Sequence, residues 1–152
     1  MWAMTIALLM FGVLAVMTSL STSTSTDYNK EKAQAIAQNF VDYRNAVTEY
    51  AENNPAFTGV APTASLNLPF GWQAILPWTN KINSSFVLTW GAVPPDSITQ
   101  IQDASQATVA IGIAEIQGPQ EVILVPSTGN IIVIPPGSVP VGDIASALIR
   151  MQ

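Results

Sequence analysis

Two pairs of carboxylates have the spacing closest to acid–base chemistry or to a hard cation. Asp27 and Glu31 stand four apart, and Glu115 and Glu121 flank Gly118-Pro119. A working carboxyl pair needs environments that push the two groups apart in acidity. A Ca2+ or Mg2+ loop needs acids repeating at ligand offsets, and no such repeat occurs. Asp27 and Glu31 instead suit a helix start, where acids favour the dipole. Glu115 and Glu121 read as solvated acids of a strand connection. The chain has neither His nor Cys, which removes the commonest zinc and copper ligands and the usual base near neutral pH. It also removes any disulfide, so cysteine usage does not report the redox compartment. No GxxxxGK, GxGxxG or GxSxG string is present. The sequence therefore predicts no enzymatic activity, no catalytic residue, no cofactor and no metal. Arg44, inside Asp42-Tyr43-Arg44-Asn45, is expected to pair with Asp42 or Glu49, with a partner chain as the alternative. Phe70, Trp72 and Trp78 are expected to plug irregular backbone, the other reading being a ligand-stacking surface.

Composition narrows the class. Hydrophobic residues make up 49% of the 152 residues and charged ones 10%, well below the ~25% charged of an ordinary soluble domain. Ten acids and five bases give a net charge of -5 with no basic cluster. That argues against nucleic acid, which needs cations to neutralise phosphates, and against docking to anionic lipid through a polybasic patch. No small-molecule substrate is implied.

The elements that would position any site begin with an apolar head. Trp2 to Leu20 carries no charge, and at ~1.5 Å per residue it covers about 28 Å, close to the hydrocarbon thickness of a bilayer. Trp2, Ile6, Leu8, Leu9, Phe11, Val13, Leu14, Val16 and Leu20 are the expected anchor residues, with Trp2 at the interface. A cleaved secretory signal is the alternative. It would carry a basic n-region and a shorter apolar core, so residues 1–20 read as an uncleaved transmembrane signal-anchor. Lys30, Lys32 and Arg44 on the far side give a weak positive-inside vote for a cytoplasmic C-terminal part.

Residues 21–26 are a Ser/Thr join, helical or linker, and residues 27–152 form one α+β domain. Thr26 or Asp27 is the expected N-cap of a helix to residue 54. Ala33, Ile36, Phe40, Tyr43, Val47 and Tyr50 recur at steps of three and four, the stripe of an amphipathic helix. Ile36, Phe40, Tyr43, Val47 and Tyr50 are the candidate packing or interaction face. Pro55 disfavours helix at Asn54. If the join is helical, anchor and domain helix form one rod about 75–80 Å long. Residues 55–152 read as a loop-rich sheet part. It comprises a strand over Lys81 to Trp90, a short helix from Asp96 through Gln106, and a strand near Val109, Ile111 and Ile113. After these come the hairpin EVILVPSTGNIIVIPP, turning at Ser127-Thr128-Gly129-Asn130, and a terminal helix over Asp143 to Met151. The expected fold is α+β, with an N-terminal transmembrane helix leading into a long helix packed on a small antiparallel sheet, a pilin-like layout.

The anchor, the STSTDY join, FVDYRNAVTEYAENNP and IGIAEIQGPQEVILVPSTGNIIVIPPGSVPVG together resemble the PilM proteins of type IVB pilus systems of conjugative plasmids. The resemblance covers most of the chain. It implies a small single-pass inner-membrane protein with a periplasmic C-terminal domain, overriding the charge vote. It further implies a role in thin-pilus biogenesis and mating in liquid, with other pilus-assembly proteins as partners. It brings no catalytic residues. The chain lacks the basic leader, cleavage Gly and early Glu of a prepilin: Gly12 lies inside the apolar run and no acid precedes Asp27. The expectation is thus an unprocessed, non-enzymatic assembly component. The alternatives are a minor subunit of the fibre, or a secreted binding module that uses Trp72, Trp78 and Trp90.

Overall fold

The structure, a computed structural model, describes residues 2–94, 98, 101, 111–125 and 129–150, with side chains described from residue 28 onward. The chain divides into two units, Met1–Lys32 and Ala33–Gln152. Helix α1, Trp2–Asn53, supplies the described part of the first unit and opens the second. The Ser/Thr join is helical, so no helix begins at Thr26 or Asp27 as the capping residues suggested. Continuing through Ser and Thr costs a little propensity at each position. Breaking there would orphan the N–H and C=O groups of two new ends and require a second nucleation. Among the described residues no helix is long and apolar enough to cross a membrane. The anchor side chains Trp2, Ile6, Leu8, Leu9, Phe11, Val13, Leu14, Val16 and Leu20 are not among those described.

Within the second unit α1 stops where Pro55 requires it to. The Asn54 amide and its side-chain Nδ2 both donate to the Tyr50 carbonyl, at 3.0 and 2.8 Å. Arg150 donates to the Ala51 and Pro55 carbonyls at 2.8 and 3.1 Å. A cation is thereby placed against the negative end of the helix. Six strands follow: β1 (Thr79–Ile82), β2 (Phe86–Gly91), β3 (Ile111–Gln117), β4 (Gln120–Val125), β5 (Asn130–Ile134) and β6 (Ile144–Ile149). They form one sheet in the order β1-β2-β6-β3-β4-β5, and every neighbouring pair is antiparallel.

Both faces of this sheet are apolar, because side chains alternate along each strand. On the helix side Ile82, Val87, Ile111 and Ile144 meet Ile36, Phe40, Tyr43 and Val47 in one core. On the other side Leu88, Ala114, Ile123, Val125, Ile134, Ala145 and Ala147 form a second, with Val139 of the β5–β6 connection laid over it. Gly112 lets strands β3 and β4 approach closely, since a Cβ there would overlap the Leu124 carbonyl.

Three sequence expectations are corrected. Lys81 to Trp90 is a hairpin rather than one strand. Asn83 Oδ1 accepts from the Ser85 and Phe86 amides at 2.8 and 2.6 Å, so an Asn side chain makes the turn. The segment expected to be a terminal helix from Asp143 instead forms strand β6, Ile144–Ile149. It lies between β2 and β3 with Ile144, Ala145, Ser146 and Ala147 all buried. A strand buried on both faces shows a short apolar run that periodicity cannot separate from a helix. Glu121 is buried rather than solvated, as described below. Of the expected helix from Asp96 to Gln106, Ile98 and Ile101 have helical backbone, and the remainder lies outside the described residues. Val109, Ser127, Thr128 and Met151 also lie outside them. Strands β4 and β5 do form the predicted hairpin, with Val125 opposite Asn130.

Candidate interaction site

The stripe of α1 is occupied within its own domain. Ile36, Phe40, Tyr43 and Val47 are buried, and Tyr50 is half-buried with its ring edge-on to Phe57 at 5.2 Å. Burying each large side chain is worth about 1.5–3 kcal/mol, so these residues hold the domain together before they can serve any partner.

Around that stripe the long segment between α1 and β1 is tied down by two asparagines. Asn39 donates to the Gln73 carbonyl at 2.8 Å and accepts from the Ile75 amide at 3.0 Å and Trp78 Nε1 at 2.7 Å. Asn80 accepts from the Ala61 amide at 2.8 Å. It donates to the Ala61 carbonyl and to the Tyr43 hydroxyl, at 3.0 and 2.7 Å. Its side-chain amide thus takes the place of a peptide on the outer side of β1. Burial raises the Tyr43 phenol above its ordinary value, and the Asn80 bond works weakly against that rise. Trp78 packs on Phe40 with centroids 4.9 Å apart, and Trp72 stacks on Tyr43 at 5.9 Å.

Two of the three aromatics expected to plug irregular backbone therefore do so. Phe70 does not: it stands at the tip of the Pro69–Trp72 turn, held by a 3.0 Å bond from the Trp72 amide to the Pro69 carbonyl, and is fully exposed at 108%. Gly71, at φ +77°, occupies the position of this turn that needs a positive φ. The three tryptophans do not share a ligand surface. Trp72 and Trp78 belong to the helix-side core and Trp90 to the opposite one.

The charged candidates also resolve. Arg44 pairs with neither Asp42 nor Glu49. Its Nε donates to Ser146 Oγ at 3.1 Å and its Nη1 to Asn45 Oδ1 at 3.0 Å, and burial pushes the guanidinium pKa below its ordinary value. Asp42 accepts from Gln38, and Glu49 from Asn67. Glu121 is 7% exposed. Its carboxylate accepts from the amides of Gly137, Ser138 and Val139, the last two at 3.3 and 2.8 Å. Successive amides converging on an anion make a nest, and here the anion is the chain's own side chain. Glu115 is half-buried, and its strand pairing brings it opposite Val122 rather than Glu121. Asp27 is not among the residues with described side chains, and Glu31 is exposed. Among the described residues no group of three or more acids is placed to hold a metal.

What remains open to a partner is surface. A groove of about 390 Å3 runs beside the end of α1, between Thr48, Ala51, Glu52 and Pro55 on one wall and Val87, Leu148, Ile149 and Arg150 on the other. Phe70 stands exposed on its turn, and Ile131 and Val133 of the edge strand β5 are half-exposed.

A long helix laid on a six-stranded antiparallel sheet and tied to its loops by buried amides defines a small α+β domain. The PilM family model matches residues 6–147, and the chain belongs to the PilM family. A crystal structure described as that of PilM from Escherichia coli B7A has a similar fold. It superposes with a TM-score of 0.55 at 21% identity, covering 78% of this chain and 92% of that one. No curated protein matches the chain.

Proposed function

We propose that this chain is a non-enzymatic component of type IVB pilus biogenesis, supporting assembly of a conjugative thin pilus through protein–protein contacts. In this reading residues 2–20 anchor it in the inner membrane and its C-terminal domain lies in the periplasm. The observation that carries the reading is the PilM family match, which runs from the apolar head through nearly the whole domain. The uncharged run from Trp2 to Leu20 supports the anchor. Other pilus-assembly proteins of the inner membrane and periplasm are the partners it calls for.

Fractionation of cells expressing the full chain tests the placement. The expected result is recovery with inner membrane after carbonate extraction, with Trp2 still present in the N-terminal peptide by mass spectrometry. A soluble periplasmic chain beginning near Ser21 would contradict it. A second reading, a minor subunit within the fibre, draws on the pilin-like layout of α1 against an antiparallel sheet. It requires the protein to be present in sheared, purified pili.

A further inference from the structure

The two edges of the sheet are treated differently. Along the outer side of β1 the chain doubles back. Gly59 and Ile82 exchange both amide–carbonyl bonds, at 2.8 and 2.7 Å, and Ala61 is held by the Asn80 side chain. That edge is covered, and Lys81 stands exposed on it. Strand β5 is the other edge, paired with β4 on its inner side. Alternate residues of an edge strand present unpaired N–H and C=O groups outward, and folded proteins blunt such edges with charge, bulges, proline or a covering segment. Here Ile131-Ile132-Val133-Ile134 carries none of the first three. Among the described residues nothing pairs the outer side of these four. Ile131 and Val133 remain 50% and 49% exposed.

We infer that β5 is a pairing edge for a second copy of this chain, joined antiparallel through β5 to make one continuous sheet across a twofold axis. Three observations select that occupant. First, a second copy has two edges to offer, and β1 is already occupied, which leaves β5 to meet β5. Second, no residue from Val122 to Gly142 is charged, so two chains of net charge -5 meet there without like charges face to face. Third, the run is nearly palindromic about Ile132. Antiparallel pairing centred on it sets Ile131 opposite Val133 of the other copy, and the reverse. Both are β-branched pairs of the kind that favour cross-strand packing, and an interface in which residue i meets j and j meets i is the closed, isologous kind.

The test uses the full chain in detergent micelles, with mass followed by sedimentation equilibrium after correction for bound detergent. The native chain is expected to be a dimer. The double substitution Ile131→Lys with Val133→Lys, at two half-exposed positions, is expected to weaken it by roughly tenfold or more, because like charges then face each other across the strands. Unchanged circular dichroism would show that the variant still folds. Because the native chain has no cysteine, Ile131→Cys with Val133→Cys offers an independent reading. Mild oxidation should yield a covalent dimer, whereas Ile116→Cys, 66% exposed on the interior strand β3, should not. A monomer at all accessible concentrations would overturn the inference. So would a dimer indifferent to the lysines, or equal cross-linking through position 116.

Discussion

Asn80 and Thr89 lie on neighbouring strands as register partners, both 1% exposed, yet their polar atoms have opposite circumstances. Asn80 satisfies the Ala61 amide and carbonyl and the Tyr43 hydroxyl, whereas Thr89 Oγ1 finds no partner among the described residues. Removing one member of a satisfied buried set leaves the others unpaired, at about 1–3 kcal/mol each. Asn80→Ala is therefore expected to lose roughly 3 kcal/mol or more in chemical denaturation. Thr89→Val is expected to be neutral or stabilising by up to about 1 kcal/mol, since it removes an unmet group at constant volume. Asp143 supplies a pH dependence. Burial pushes its carboxyl up from the ordinary value, so the folded chain holds the proton more tightly than the unfolded one. Stability should then fall as pH rises from about 3.9 through the higher folded value, and stay lowered above it. Asp143→Asn should raise the thermal midpoint at neutral pH and leave it unchanged below the carboxylate range.

Between elements, the contact that matters most is α1 against the helix side of the sheet. Phe40→Ala removes a fully buried ring that packs on Trp78 and is expected to cost about 3–5 kcal/mol in urea titration. Phe70→Ala, at a fully exposed position, should cost almost nothing, and a similar loss at both sites would contradict the packing described. The stripe behind this prediction is plain in the sequence, because a helix with one wet face repeats its apolar residues at steps of three and four. Strand β6 is not legible, because it sits in the middle of the sheet with small residues at Ala145, Ser146 and Ala147. Its burial comes from β2 and β3, far away in sequence. The β1–β2 turn was hidden for another reason: Asn83 makes it with a side chain inside a run that otherwise reads as one strand. Glu121 looks like any turn acid until the β5–β6 connection brings three amides to it. For β6 and Glu121 the missing signal was a distant partner, whereas at Asn83 it was a local side-chain turn.

For the whole molecule, the family match and the apolar head carry the proposed functional reading, and the domain contributes surfaces on which that proposal can be tested. Its charge-free edge at β5, its groove beside the end of α1 and its exposed Phe70 are the places where assembly contacts can form. Membership of the PilM family points to a pilus-related role, and under the proposed function those surfaces are where assembly partners would dock. The sequence already carried that likeness in short strings such as FVDYRNAVTEYAENNP, which report the helix that organises the domain. The most direct test removes the gene from the host that uses this pilus, then measures surface thin pili and mating frequency in liquid. Loss of both, restored by the full chain but not by one lacking residues 1–20, is the expected result. Unchanged pili and unchanged liquid mating in the deletion strain would contradict the account.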